Sequence, residues 1–245
     1  MINTKTLTTA KLVLCTILLL TFVGCQNADI RPSYSTRYIQ ENKGKLTASV
    51  PEVYELGYTV LALTSTGQKD ASVINTSSPY YQDLKAQFEK YKDHRAVKEL
   101  DQKLTRFPGL VDDYLKGLFA YRMNDGRVVQ RENYRIYLNK IEFSRYQLLL
   151  QDFYRATDFQ KFYNEHRGTY DELIRNSNEL VNLEKAKAMI GDADGYLIVL
   201  SPLAKGHAGK LMLRTEAYKE CVVFPTVMAD QFTFGKGEKD LISIR

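Results

Sequence analysis

The chain has 245 residues, with 34 Lys and Arg against 29 Asp and Glu for a formal charge of +5. Two lysines and no acid lie in residues 1–24, so without them the charge falls to +3. So mild a balance, with both signs interspersed, excludes the dense basic stripe of a nucleic-acid binder. The length allows one large domain or two small ones, and 17 Tyr and 11 Phe with no Trp supply a substantial core.

Lys5 and Lys11 precede an apolar run from Leu12 to Val23, followed by Gly24 and Cys25. A basic start, an apolar centre and a small residue before the break are the parts of an export signal. The run makes a helix of about 18 Å, well short of the ~30 Å hydrocarbon core, so it predicts a removed leader and not a membrane span. Phe22-Val23-Gly24-Cys25 resembles the lipobox of bacterial lipoproteins, in which the thiol is lipidated and becomes the mature N-terminus. Cys25 is therefore the expected lipid-attachment residue, and a membrane is the expected partner. The location implied is the bacterial envelope, at the outer membrane, with its face unassigned. Cys15 leaves with the leader and Cys221 stands alone, so no internal disulfide framework is expected.

Residues 25–45 are polar and without period, and read as a flexible tether. A single α+β domain is expected from 46 to 245, mainly helical at first and closing in a small antiparallel or mixed sheet. Ser49-Val-Pro-Glu52 has capping-box spacing and predicts a buried helix through Val53, Leu56, Val60, Leu61 and Leu63. Ser78-Pro79 starts the next helix, with Leu84, Phe88 and Tyr91 on one stripe. Helices are expected over His94–Leu104 and from Pro108 to about Arg122, then a turn at Asn124-Asp-Gly126 and a short strand over Arg127–Gln130. Tyr146, Leu149, Leu150, Phe153 and Tyr154 form the strongest helical stripe. Thr157 and Thr169 open two further capping boxes, the second leading to a stop at Gly191. Tyr196–Leu200, Lys210–Thr215 and Tyr218–Phe224 read as strands, with weaker ones at Phe232–Phe234 and Leu241–Ile244.

The only histidines are His94, His166 and His207, with no pair at helical spacing and no HExxH. No metal site and no cofactor are therefore implied by the residues present. Glu52 and Glu55 share a helix face and can divide acid and base work if their surroundings separate their pKa values. They are cleft candidates together with His94, which also stands where a helix cap is needed. His166 is expected to meet the carbonyls of a helix end, and Cys221 to be a buried thiol. There is no GxSxG, P-loop or GxGxxG.

Pro51-Glu-Val-Tyr-Glu-Leu56, the block Tyr81–Val97, Gln151–Tyr163 and Tyr196–Pro202 together resemble a family of Bacteroidota envelope lipoproteins of unknown function. The resemblance spans roughly residues 46–240. It implies longer members that continue into an HExxH helix, the zinc and general-base motif of zincin metallopeptidases. The chain as given stops at Arg245, about where that helix would be expected, so a zinc peptidase would require a C-terminal extension. The expectations are a lipid-anchored relative lacking that motif or, alternatively, a non-catalytic lipoprotein that binds a peptide or a glycan.

Overall fold

Residues 30–45, expected to be a tether, build the first pieces of the fold in the computed structural model. The model describes residues 30–69, 72–137, 140–205, 209–228, 231–233 and 241–243. Strand β1 (Ile30–Pro32) pairs antiparallel with β5 (Tyr134–Ile136), placing Arg31 opposite Arg135. Helix α1 (Thr36–Asn42) follows at once, and the Ser35 hydroxyl accepts from the Tyr38 amide to cap it. The segment is poor in aliphatic residues but not in anchors. Tyr34 and Tyr38 stack at 5.2 Å and reach across to the last part of the chain.

The expected α+β class holds, with one rearrangement of order. A four-stranded mixed sheet runs β2 (Leu46–Ser49), β6 (Gly195–Val199), β8 (Lys219–Phe224), β7 (Gly209–Arg214). The first three are parallel, and β7 is antiparallel to β8. One edge of the sheet thus precedes every helix but α1 in sequence. Ser49 is drawn into that edge, where its carbonyl accepts from the Leu200 amide at 2.8 Å. It is not the predicted cap. Pro51 takes the cap position of α2 (Glu52–Leu63) and offers no side-chain bond.

Every residue from Val53 to Leu63 is buried. A helix buried on all sides belongs in the middle of a domain, and α2 is surrounded there by α3 (Ser65–Lys69), α4 (Pro79–Phe88), α5 (Arg95–Arg106), α6 (Leu110–Phe119) and α7 (Phe143–Thr157). Ser78 caps α4 as expected, and Asn124-Asp-Gly126 turns a hairpin between β3 (Tyr121–Asn124) and β4 (Arg127–Gln130). Positive φ at Asp125 (47°) and Gly126 (70°) gives that turn the twist the hairpin needs.

The other two capping boxes do not form. Thr157 lies inside α7, its hydroxyl donating to the Phe153 carbonyl at 2.7 Å. The left-handed Asp158 (φ 52°) then joins α7 to α8 (Phe159–Glu165). Thr169 lies within α9 (Arg167–Leu180), which has already begun two residues earlier. Gly191 ends α10 (Leu183–Ile190) at φ 109°, as read. Short strands β9 (Thr226–Met228), β10 (Gln231–Thr233) and β11 (Leu241–Ser243) pair in a separate antiparallel sheet.

Helices α2 and α6 meet at Gly57. The Tyr114 hydroxyl donates to the Gly57 carbonyl at 3.0 Å, and a Cβ on Gly57 would collide with the buried Leu118 side chain. Gly57→Ala is expected to destabilise the protein by about 1–3 kcal/mol, the cost of overpacking a filled core. Thermal or urea unfolding measures it, and an unchanged midpoint would contradict this packing.

Candidate functional site

The parallel strands β2, β6 and β8 end together, and the chain segments beyond them converge. Crevices outside the carboxyl ends of parallel strands are where α/β sheets place ligands. After β2 come Val50 and Pro51, then the first turn of α2 with Glu52 and Glu55. After β6 comes Leu200-Ser-Pro202, held to the start of α4 by the Asn75 amide, which donates to the Leu203 carbonyl at 2.9 Å. Helices α4 and α9 form the walls of a cleft of about 330 Å³, whose lining includes Tyr80, Asp83, His166, Glu172, Leu173 and Pro202.

Glu55 lies behind this cleft and is fully buried. Its Oε1 accepts from the Tyr80 hydroxyl at 2.8 Å, and Tyr80 stands 2.8 Å from the Tyr170 hydroxyl. Two phenolic protons fill those two contacts when Tyr170 donates to Tyr80 and Tyr80 to Glu55. Oε2 has no hydrogen-bond partner. The Ser201 hydroxyl, which accepts from the Leu203 amide at 3.1 Å, lies close enough to favour the charged carboxylate. Burial dominates, and the carboxyl is pushed up from 4.5 to about 7 against the opposing pull of Ser201 and Tyr80.

His166 stands edge-on to the Tyr80 ring at 5.0 Å. Its Nδ1 is 2.9 Å from the Phe162 carbonyl, as its helix-end position led us to expect. A carbonyl only accepts, so Nδ1 carries a proton. A second proton on Nε2 would make the ring a cation and pair it with Asp83 Oδ2, 3.4 Å away.

The carboxylate pair read from the sequence is divided between two partners. Glu52 turns to α7, where the Tyr154 hydroxyl donates to its Oε1 at 3.0 Å. Burial raises its pKa, while Tyr154 and the charge of Arg167 oppose the shift. Glu55 turns to α4. His94 joins neither, since its Nδ1 accepts from the Ala96 amide at 3.1 Å to cap α5 and its Nε2 lies 3.3 Å from Asp152. Of the three cleft candidates, Glu55 alone backs the cleft directly, through Tyr80. Cys25 and His207 lie outside the described residues. Cys221 is a fully buried free thiol on β8, pushed up to about 11 by burial.

A second buried carboxyl stands near the opposite end of the sheet. Glu220 accepts from Tyr34 (3.0 Å) and Tyr134 (2.6 Å) at Oε2 and from Tyr38 (2.7 Å) at Oε1. Tyr38 and Tyr134 are also 2.8 Å from each other. The three hydroxyls thus share their protons among four short contacts. Burial raises the pKa of Glu220, against the pull of the hydroxyls and of Arg131.

The zinc attached by resemblance to an HExxH helix finds no donor set here. Among the described residues no three His, Cys, Asp or Glu side chains are grouped as ligands for a metal ion. The chain matches no protein-family model, no curated protein and no solved structure.

The raised pKa of Glu55 has a definite sign. The folded state keeps a proton that the unfolded chain has released, so the stabilisation is complete below about pH 4.5 and is lost as pH rises towards 7. The loss is on the order of 3 kcal/mol. Urea unfolding from pH 4.5 to 8 is expected to show this decline, and Glu55→Gln to flatten it while leaving the contributions of Glu52 and Glu220, whose pKa values burial also raises. An equal slope in the variant would remove Glu55 as its source.

Proposed function

We propose that this protein is a lipid-anchored envelope domain that captures a cationic peptide segment in the cleft between α4 and α9, without catalysing a reaction itself. The leader and the Phe22–Cys25 stretch support the anchor. The observation that carries the binding reading is the charge arrangement of the cleft. Asp83 and Glu172 line it together with His166, and among the described residues no Lys or Arg does. Glu55 lies one hydroxyl further in, with an unpartnered oxygen. A buried polar group without a partner is a group held ready for a ligand charge or for a proton.

A peptide suits this cleft better than a glycan. Sugars dock on open aromatic faces, whereas Tyr80 and Tyr170 are edge-packed and only 5% and 3% exposed. Leu173, Pro79 and Pro202 offer apolar contact along the same walls, as peptide backbones require. An ammonium or guanidinium group entering here would favour the ionised form of Glu55, so affinity should rise as Glu55 loses its proton.

Two measurements check this reading. Titration calorimetry with lysine-bearing hexapeptides is expected to show affinity rising between pH 6 and 8. Asp83→Asn should weaken binding about tenfold, and Glu55→Gln should reduce the pH dependence. No binding, or binding indifferent to both variants, would remove the cleft as a peptide site. Separately, Cys25→Ser is expected to release the protein from the membrane fraction; undiminished retention would count against the anchor.

A further inference from the structure

The strand pair nearest in sequence to Cys25 carries an unusual surface. Arg31 on β1 and Arg135 on β5 are register partners, and both are exposed. The Arg31 guanidinium lies 4.4 Å from the centre of the Tyr137 ring, which is 57% exposed just beyond β5. The chain then reaches Lys140, whose Nζ stands 5.8 Å from the Phe107 ring. Phe107 is 45% exposed and has Arg106 at 5.1 Å. Lys103 fixes this turn to α5 by donating to the Lys140 and Ile141 carbonyls, and it also engages Glu142 at 3.6 Å. Four large apolar or aromatic side chains are exposed among the described residues, and the two aromatic ones are here, each beneath cations.

We propose that this face rests on the anionic headgroup layer of a lipid bilayer, so that the anchor orients the domain as well as retaining it. The inference rests on the reading of Cys25 as the lipidated residue. Cys25 precedes Ile30 by five positions, and five extended residues reach at most about 18 Å. Because β1 is already part of the fold, the β1–β5 face stays within that distance of the lipid. Arg and Lys pair with lipid phosphates, and aromatic rings with one wet edge settle at the same depth. The surface potential that attracts such cations decays within a Debye length of roughly 8–10 Å at physiological salt, so the short leash is what makes the charges effective. Glu55 and its cleft lie beyond the carboxyl ends of the parallel strands, whereas β1 leads to Tyr34 and to Glu220 near their amino ends. The cleft therefore faces away from the bilayer.

The chain contains no tryptophan, so Tyr137→Trp and, at the exposed start of α8, Gln160→Trp each give a single reporter. The lipidated variants are reconstituted in vesicles of phosphatidylcholine and phosphatidylglycerol (3:1) bearing a headgroup spin label. Sedimentation reads anchoring, and fluorescence quenching reads proximity. Quenching is expected to be at least threefold stronger for Tyr137→Trp than for Gln160→Trp. It should fall to the Gln160→Trp level when Arg31→Glu and Arg135→Glu are added, or when phosphatidylglycerol is left out, with the protein still sedimenting in each case. Equal quenching of the two reporters in sedimenting protein, or quenching indifferent to phosphatidylglycerol, overturns the docking face and leaves the anchor standing. Protein that stays in the supernatant overturns the anchor and the docking face with it.

Discussion

Glu220 is a carboxyl group with no access to water, and the amino-terminal end of the domain is organised around satisfying it. Its hydroxyl donors come from Tyr34 between β1 and α1, Tyr38 on α1, and Tyr134 on β5. Each lost partner of a buried polar group costs about 1–3 kcal/mol. Residues 30–45 therefore cannot leave the fold without abandoning a buried acid on β8. Tyr218 seals the same cluster edge-on to Tyr34 at 5.0 Å. A segment that composition alone assigns to a tether is in this way bound to the last strand laid down in the main sheet.

Glu220 and Glu55, both fully buried, differ in how far they are satisfied, and that difference separates their roles. Glu220 has both oxygens engaged by tyrosine hydroxyls. Glu55 has one oxygen engaged and one without a partner, next to a cleft. Complete satisfaction stabilises a fold, whereas incomplete satisfaction is a cost that the fold tolerates at a site with a use for it. The sheet aligns the two, since β6 and β8 run from the Glu220 end towards the Glu55 end. Helix α7 runs the same way, from Phe143 against Tyr121 to Tyr154 at Glu52.

Much of the secondary structure was legible, because it rests on local chemistry. Ser78-Pro79, Asn124-Asp-Gly126 and Gly191 act through their own backbone and nearest neighbours, and each does what its residue type implies. His94 likewise caps the helix it precedes. The errors arise where a distant partner outbids a local one. Ser49 has the spacing of a cap, but Leu200 recruits it into a parallel strand. Thr157 has the same spacing, but the apolar stripe of α7 carries the helix through it, and its hydroxyl turns back to Phe153. The candidate site was half legible. The spacing of Glu52 and Glu55 puts both on one turn, yet their partners, Tyr154 and Tyr80, stand 102 and 25 positions away. Nothing in the spacing of a tyrosine announces which acid it will meet, so Tyr170 and the set around Glu220 were invisible.

Net charge concealed the same kind of information. A balance of +3 without residues 1–24 describes a nearly even surface, yet the charges are unevenly spread between the two ends of the sheet. Arg31, Arg135 and Lys140 outnumber Glu142 at the end where the chain enters, while Asp83 and Glu172 line the cleft with Glu52 and Glu55 near it and Arg167 acting on Glu52. Such a distribution has a direction even where its sum is small, and an anionic surface acts on the direction. It attracts the entering end and repels the cleft, the orientation that five residues of leash would impose by length alone. Under the proposed anchoring, geometry and electrostatics therefore act in concert, and the cleft is presented to whatever lies off the membrane.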